Sequence, residues 1–421
     1  MLRTTRLRFT SGLALAVALA GGTVMTSALV APAAVAQDYT DAFVELYQPV
    51  AAIVNAEGGD VNSVTGQFPA IVAAAVTPDD KFAVGNLILI AGNKLSRPAL
   101  QRQGLELQLA SGKVAPENIG MFNWFVGNLA VQGGDFLPAR AALQAAAAAG
   151  YTQGDTTALI AETYYEVEGA AAGVAYVLQS AQARLAAGGE VPENWLLRGL
   201  RASYGDNLTN EANALSLLLV TQHTSRQNWL NALQVANSLN DYDDQARLDL
   251  LRLMRLTETM TAQAEFIAYI EAADPRIMSN EVVDVLAAAE AANLFVTGED
   301  RQYYADVLET VNSRMAGDRA DAPSLVRDAR TAGTGADALL AGNLLYSLDD
   351  FAGAEEMFAL AVTKGGSDTQ TALTRQGIAQ VRQGNHAAAV ATLAQVTGPR
   401  EAVAKFWSAY AQSQAAAAPV N

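Results

Sequence analysis

Cysteine is absent from the 421 residues, and histidine occurs only twice, as His223 and His386. Disulfides, thiolate zinc sites, iron–sulfur clusters and a cysteine nucleophile are therefore excluded, and histidine-based catalysis has almost no material. Aromatic residues are scarce at 7%, yet hydrophobic residues reach 51%, so the chain can bury a large core built mainly from small and aliphatic side chains. Basic residues are also short. The 27 Lys and Arg face 43 Asp and Glu, for a formal charge of −16 and a pI of about 4.6. That balance argues against a broad surface for nucleic-acid phosphates. No H-E-x-x-H, G-x-S-x-G, S-x-x-K or G-x-x-x-x-G-K-[ST] string occurs, so no catalytic or phosphate-binding motif offers itself.

The N-terminus reads as an address. Arg3, Arg6 and Arg8 precede an apolar run from Leu13 to Ala20, and Ala34-Val35-Ala36 stands before the polar Gln37-Asp38. A basic start, a short apolar stretch and small residues at the −3 and −1 positions make a secretory signal peptide over residues 1–36, with cleavage expected between Ala36 and Gln37. The alternative is an uncleaved anchor. Removal would take three basic residues and leave 24 against 43 acids, a charge of −19. No later segment approaches the roughly 18 consecutive apolar residues of a spanning helix, so no stable membrane insertion is expected after cleavage. The expected location is the periplasm, with secretion or peripheral attachment to the envelope as alternatives.

The rest of the chain repeats. The stretch from Val126 through Gly127-Asn128 and Gly134-Asp135-Phe136 to Ala139 matches the stretch from Ala341 through Gly342-Asn343 and Asp349-Asp350-Phe351 to Ala354, residue type for residue type at most key offsets. Leu143 and Ala146 continue the first copy as Phe358 and Ala361 continue the second. A third copy runs from Gly377 through Gly384-Asn385-His386 to Ala389, Leu393 and Val396. Gly85-Asn86 opens a weaker one that departs from the pattern around Arg97-Pro98-Ala99, and Gly127, Thr163, Gly199 and Leu233 follow one another at 34 to 36 residues. Trp195, Trp229 and Trp407 share one register position, with Trp124 one residue later.

This pattern resembles the tetratricopeptide repeat, in which a helix with a small residue is followed by a turn and a second helix bearing Ala, then a bulky residue, then another small one. The wider chain is similar to exported tetratricopeptide proteins of alphaproteobacterial, sphingomonad-like type. The resemblance implies an all-α, right-handed superhelical solenoid of antiparallel helix pairs, with Gly85, Gly127, Ala139, Gly199, Gly342, Ala354, Gly377 and Ala389 at the close crossings. Asp135, Asp350 and Asn385 are expected as N-caps of second helices, and Gly188-Gly189 and Gly365-Gly366 as helix stops. Leu87-Ile88-Leu89-Ile90 could be a strand in isolation, but the repeat register makes it helix.

The expected organisation is an N-terminal helical cap over 37–80, repeats over 81–255, a degenerate helical segment or insert over 256–335, a C-terminal repeat pair with a closing helix over 336–414, and a disordered tail over 415–421. Within 256–335 the apolar spacing predicts helices at Ala262–Ala272, Glu281–Asn293, Tyr303–Met315 and Ser324–Thr331, with Asp274-Pro275 as a break.

The resemblance further implies that first helices line a groove for a protein or peptide partner. Asn86, Asn128 and Asn343 would then offer amides to an extended ligand. Arg375 and Asn343 match two members of a carboxylate clamp whose lysine positions are Leu339 and Thr371 here, so the clamp is incomplete; Arg375 as an ordinary ion-paired helix residue is the competing reading. Arg198 and Arg201 share a helix face that could meet an acidic peptide. Arg247, Arg252 and Arg255 alternate with Asp244, Asp249 and Glu258 on one expected helix, where such charges form intrahelical pairs worth about 0.3–0.5 kcal/mol.

The acids at Asp241, Asp243, Asp244, Asp349 and Asp350 lack the ligand spacing of a calcium loop and read as turn and cap residues. His386 takes the place of Phe136 and Phe351 and reads as a packing ring. No metal, cofactor or catalytic residue is expected. The expected function is an exported scaffold that binds an envelope protein or peptide without catalysis of its own. Alternatives are an enzyme or accessory that acts on envelope polymers through groove carboxylates, and a small-solute-binding protein.

Overall fold

The structure is a computed structural model that describes residues 38–417. The expected signal peptide, its Ala36–Gln37 junction and the last four residues of the expected tail lie outside the described residues. Helix accounts for the regular structure, and no strand occurs among the described residues. The chain divides into two compact units, one ending at Val167 and one beginning at Glu168, a boundary inside the 81–255 stretch that the sequence reads as continuous repeats.

The N-terminal unit starts with α1 (Asp41–Asn55), a 3₁₀ turn (Val61–Gln67) and α2 (Phe68–Ala74). It continues through α3 (Pro78–Lys94), α4 (Pro98–Ala110), α5 (Pro116–Gly133), α6 (Phe136–Ala148) and α7 (Thr156–Glu168). Leu87 to Ile90 lie within α3, and Pro98 opens α4, where its missing N–H costs nothing. The residues just after the expected cleavage point are tied down: Asp38 N–H donates to Asp79 at 3.0 Å, and Thr40 Oγ1 to Asp80 at 3.1 Å.

The C-terminal unit contains α8 (Ala170–Ala186), α9 (Glu193–Gly205), α10 (Thr209–Gln222), α11 (Arg226–Leu239), α12 (Asp244–Leu256), α13 (Gln263–Ala273) and α14 (Ser279–Ala291). It continues with α15 (Gly298–Thr331), α16 (Ala336–Ser347), α17 (Phe351–Lys364), α18 (Thr369–Arg382), α19 (His386–Leu393), a 3₁₀ turn (Gly398–Arg400) and α20 (Glu401–Ala417). Within the N-terminal unit each helix from α1 to α6 packs on the next, and within the C-terminal unit each helix from α8 to α20 does the same.

The close crossings follow from missing side chains. A Cβ on Gly127 would meet Leu143 at 2.5 Å, one on Gly342 would meet Phe358 at 2.6 Å, and one on Gly377 would meet Leu393 at 2.5 Å. Small residue and bulky residue stand 16 positions apart in all three pairs, so a single local rule sets three crossings. In the α3/α4 pair the backbones themselves approach, so that a Cβ on Gly85 would meet the Gly104 carbonyl oxygen at 2.7 Å. The residue 16 positions after Gly85 is Gln101 and not a bulky apolar side chain, so the sequence pattern lapses there. Ala139, Gly199, Ala354 and Ala389 are buried as well.

The turns within pairs also share one construction. Ser96, Gly134, Asn207, Asp349 and Gly384 all have positive φ, and the next residue's N–H reaches back five residues to a carbonyl at 2.9 Å in each case, from Arg97, Asp135, Leu208, Asp350 and Asn385. This is the left-handed helix stop that returns the chain for the following helix. Asp135, Asp350 and Asn385 stand at N-caps, but only Asp350 makes the side-chain cap, to Gly353 N–H at 2.9 Å. Because serine at positive φ costs about 1 kcal/mol that glycine avoids, Ser96→Gly is expected to stabilise the N-terminal unit by about that amount in urea unfolding, and more than Asn207→Gly stabilises its own unit.

Two expectations about the middle and the end of the chain are corrected. Tyr303–Met315 and Ser324–Thr331 belong to one continuous helix of 34 residues, α15, which carries Pro323 inside it. Pro323 and Arg319 are both exposed, so the carbonyl left without an intrahelical donor lies on the solvent side and the helix survives. The closing helix runs to Ala417, three residues beyond the expected boundary at 414, so Ala415, Ala416 and Ala417 are helical where a tail was expected.

The C-terminal unit also folds back on itself. Helix α20 packs against α10 and α12 as well as α18, and Trp229 meets Tyr410 edge to face at 6.0 Å. Segments more than 150 residues apart in sequence thus share one core.

Candidate functional site

Two places in the C-terminal unit gather side chains that the sequence singled out. One is an ionic cluster sealed in the core. The other is an open cleft.

The cluster centres on Asp249, fully buried on α12. Its Oδ1 accepts from Arg252 Nη1 at 2.9 Å and from Arg375 Nε at 3.1 Å, and its Oδ2 accepts from Arg400 Nη1 at 2.6 Å. Trp407 Nε1 donates to the Asp249 main-chain carbonyl at 2.8 Å. Arg375, only 1% exposed, spends its remaining nitrogens on Asn343 Oδ1 and Gln245 Oε1, each at 2.7 Å. Arg252 clasps both oxygens of Glu281 at 2.7 Å and lies over the Tyr346 ring, while the Tyr269 hydroxyl donates to Glu281 at 2.5 Å. Four segments therefore meet at one residue, Asp249: α12, α18 and the turn at Arg400 at its carboxylate, and α20 at its main-chain carbonyl.

Burial alone raises the Asp249 pKa, but the guanidinium groups of Arg375, Arg400 and Arg252 outweigh it and hold the carboxyl below its ordinary value. Glu281 is likewise lowered, with burial opposed by Arg252. Arg375 is lowered, by burial first and then by the like charges of Arg252 and Arg400, against the pull of Asp249. Burial, reinforced by Glu281, pushes the Tyr269 hydroxyl well above its usual range. Both carboxylates thus stay ionised at neutral pH, each saturated by guanidinium donors. Such groups hold segments together and are poorly placed to exchange protons with a substrate.

Arg375 and Asn343 are therefore corrected as groove residues: they bond to each other and to the core. The charges on α12 are corrected too. Arg252 and Asp249 do pair within the helix, yet both are buried and reach across to other helices, whereas Arg247 and Arg255 are half-buried, Arg255 lying 3.5 Å from Asp284, and Asp244 and Glu258 are exposed. The sequence did carry a signal. Asp249 sits three residues after Ala246 and four before Leu253, on the apolar stripe of α12, where a lone charge must find partners.

The cleft, of about 520 Å³, lies along α9, α11 and α13, alternate helices of the C-terminal unit. Leu197, Leu200, Arg201 and Tyr204 line it from α9, Asn231, Gln234 and Val235 from α11, and Glu265 from α13. Arg201 is exposed, as are Leu197 at 36% and Tyr204 at 44%. Arg198 is half-buried and does not line the cleft. Glu265 uses Oε2 to cap the start of its own helix, α13, accepting from Thr261 N–H at 2.7 Å and Ala262 N–H at 2.9 Å. Sequence reasoning found Arg201 but missed Tyr204 and the amides of α11, whose spacing of three residues marks one helix face.

The other candidates stand apart. Asn86 on α3 and Asn128 on α5 are half-buried in the N-terminal unit, so the three in-phase asparagines do not form one site within the C-terminal unit. His223 caps the end of α10 with Nε2 2.6 Å from the Val191 carbonyl, and His386 opens α19. Asp243 caps α12 by accepting from Ala246 N–H at 2.7 Å. No group of three or more metal-ligating side chains occurs among the described residues, and none of their helices is long and apolar enough to cross a membrane. Compared with protein-family models and with curated proteins, the chain matches none of them.

Proposed function

We propose that this chain is an exported scaffold of tetratricopeptide-like helix pairs in a superhelical array, which binds a protein or peptide of the cell envelope and carries no catalysis of its own. The observation that carries the reading is the cleft along α9, α11 and α13. It is open, it is walled by three alternate helices, and its amides can both donate to and accept from a peptide backbone. The recurrent crossings and turns support the repeat resemblance. Export rests on the N-terminal sequence alone.

An acid–base role for cleft carboxylates finds less support, because Glu265 is the cleft's single carboxylate and one of its oxygens is taken by a helix cap. A small-solute site would ask for a more enclosed cavity than this one.

A photo-crosslinking residue placed at Val235 in the cleft is expected to capture one reproducible envelope partner in living cells, and the same residue at Val296, exposed elsewhere, is expected to capture none. Absence of an adduct at Val235, or identical adducts at both positions, overturns the reading. N-terminal sequencing of the exported protein is expected to begin at Gln37, and an intact Met1 on a membrane-bound species would contradict cleavage.

A further inference from the structure

We infer that the outer face of α1 is where two copies of this chain meet, helix against helix and antiparallel about a two-fold axis. This goes beyond the scaffold reading and does not depend on it.

The face is exposed and apolar. Buried Phe43, Val50, Ala51 and Val54 turn one side of α1 toward α2, α3 and the 3₁₀ turn between them. A second apolar row runs beside the first. Tyr39, Ala42, Leu46, Pro49, Ile53 and Ala56 follow one another at alternating steps of three and four residues, and all six are exposed, Leu46 at 42%. That spacing is the seam of a coiled coil, which packs against another helix. A helix left without a neighbour on such a side would be expected to carry polar residues there.

The order of sizes within the row selects the occupant. Bulky Tyr39, Leu46 and Ile53 alternate with compact Ala42, Pro49 and Ala56. A two-fold axis beside Tyr47 and Gln48 runs the second copy backwards, so the layers become Tyr39 on its Ala56, Leu46 on its Pro49 and Ile53 on its Ala42. Every layer then sets a large side chain against a small one, and each layer occurs twice, as an isologous interface requires. A parallel pair would stack large on large and small on small.

Charge favours the same direction. The first half of α1 bears exposed Asp41 and Glu45, while at its far end Lys94 Nζ donates to the Val54 and Ala56 carbonyls at 2.7 and 3.0 Å. None of these three charges makes an ion pair among the described residues. Antiparallel copies bring each Lys94 to the acidic half of the other helix, whereas parallel copies set like charges side by side. Glu57 follows Ala56 and lies past the last layer.

Sedimentation of the purified protein, in the form that cells accumulate, is expected to show a reversible dimer between about 1 and about 100 µM. L46D and E45K, both at exposed positions, are expected to weaken it at least about tenfold with helix content unchanged by circular dichroism. Because the chain lacks cysteine, introduced single cysteines report the direction. A mixture of A42C and I53C proteins is expected to form the mixed disulfide under mild oxidation in preference to either symmetric one. In the antiparallel pair the two copies of position 42 stand more than about 16 Å apart, well beyond the roughly 7 Å that a disulfide can bridge. A monomer throughout, even one that captures another protein or a vesicle through this face, overturns the inference. So does an undiminished dimer in L46D or E45K, or a disulfide that joins position 42 of both copies.

Discussion

Asp249→Ala is expected to destabilise the C-terminal unit by about 3–5 kcal/mol, the usual cost of stranding buried charges, because three guanidinium groups lose their common acceptor at once. For a unit of this size the thermal midpoint is expected to fall by roughly 10 °C. Arg375→Met in the same background should restore part of the loss, since it removes one stranded cation and keeps the volume. If Asp249→Ala melts within a degree of the wild type, the cluster does not hold the unit together.

The pH dependence follows the same logic. The folded-state pKa values of Asp249 and Glu281 are lowered from the ordinary 3.8 and 4.5, so their stabilising contribution is fully present above those values. It is lost as pH falls through the folded values. Wild-type stability is therefore expected to decline below about pH 4, and Asp249→Asn, which has no such proton to bind, should flatten that part of the curve.

Trp407→Ala is expected to cost about 3–5 kcal/mol, as large aromatic truncations in a closed core do. Trp407 is fully buried on α20, and its indole N–H is bonded to the carbonyl of Asp249. Trp407→Phe separates the two contributions: it keeps most of the ring and forfeits the hydrogen bond, so a loss of about 1–3 kcal/mol is expected. Chemical unfolding of both variants measures the difference. A tryptophan contributing only surface packing would make the two substitutions nearly neutral.

How far the sequence disclosed this architecture depends on the range of the interaction. The helix pairs were legible from Gly127 with Leu143, Gly342 with Phe358 and Gly377 with Leu393, because each contact is closed within one turn of chain and recurs. The shared helix stops were partly legible from Gly134 and Gly384, and hidden where Ser96 or Asn207 takes the same conformation. The core cluster was not legible. Asp249 meets Arg375 across 126 residues and Arg400 across 151, and no local pattern records which distant cation a buried acid will find. The two helices expected at Tyr303–Met315 and Ser324–Thr331 are one, because Pro323 on a solvated face does not break α15. Of the cleft, Arg201 was visible as part of a basic face, but its pairing with α11 required the packing of α9 beside it.

The return of α20 onto α10 and α12 has a consequence for the order in which the unit forms. An open row of helix pairs can fold pair by pair, each new pair stabilised by the last. Here the partners of Asp249 arrive with residues 375, 400 and 407, so the acid on α12 must wait, desolvated or exposed, until nearly the whole chain is present. Contacts of such long sequence separation are made late and lost early, which places them on the unfolding side of the barrier. The terminal helix therefore acts as a kinetic lock: local pairs set how quickly the unit assembles, and α20 sets how long it stays assembled.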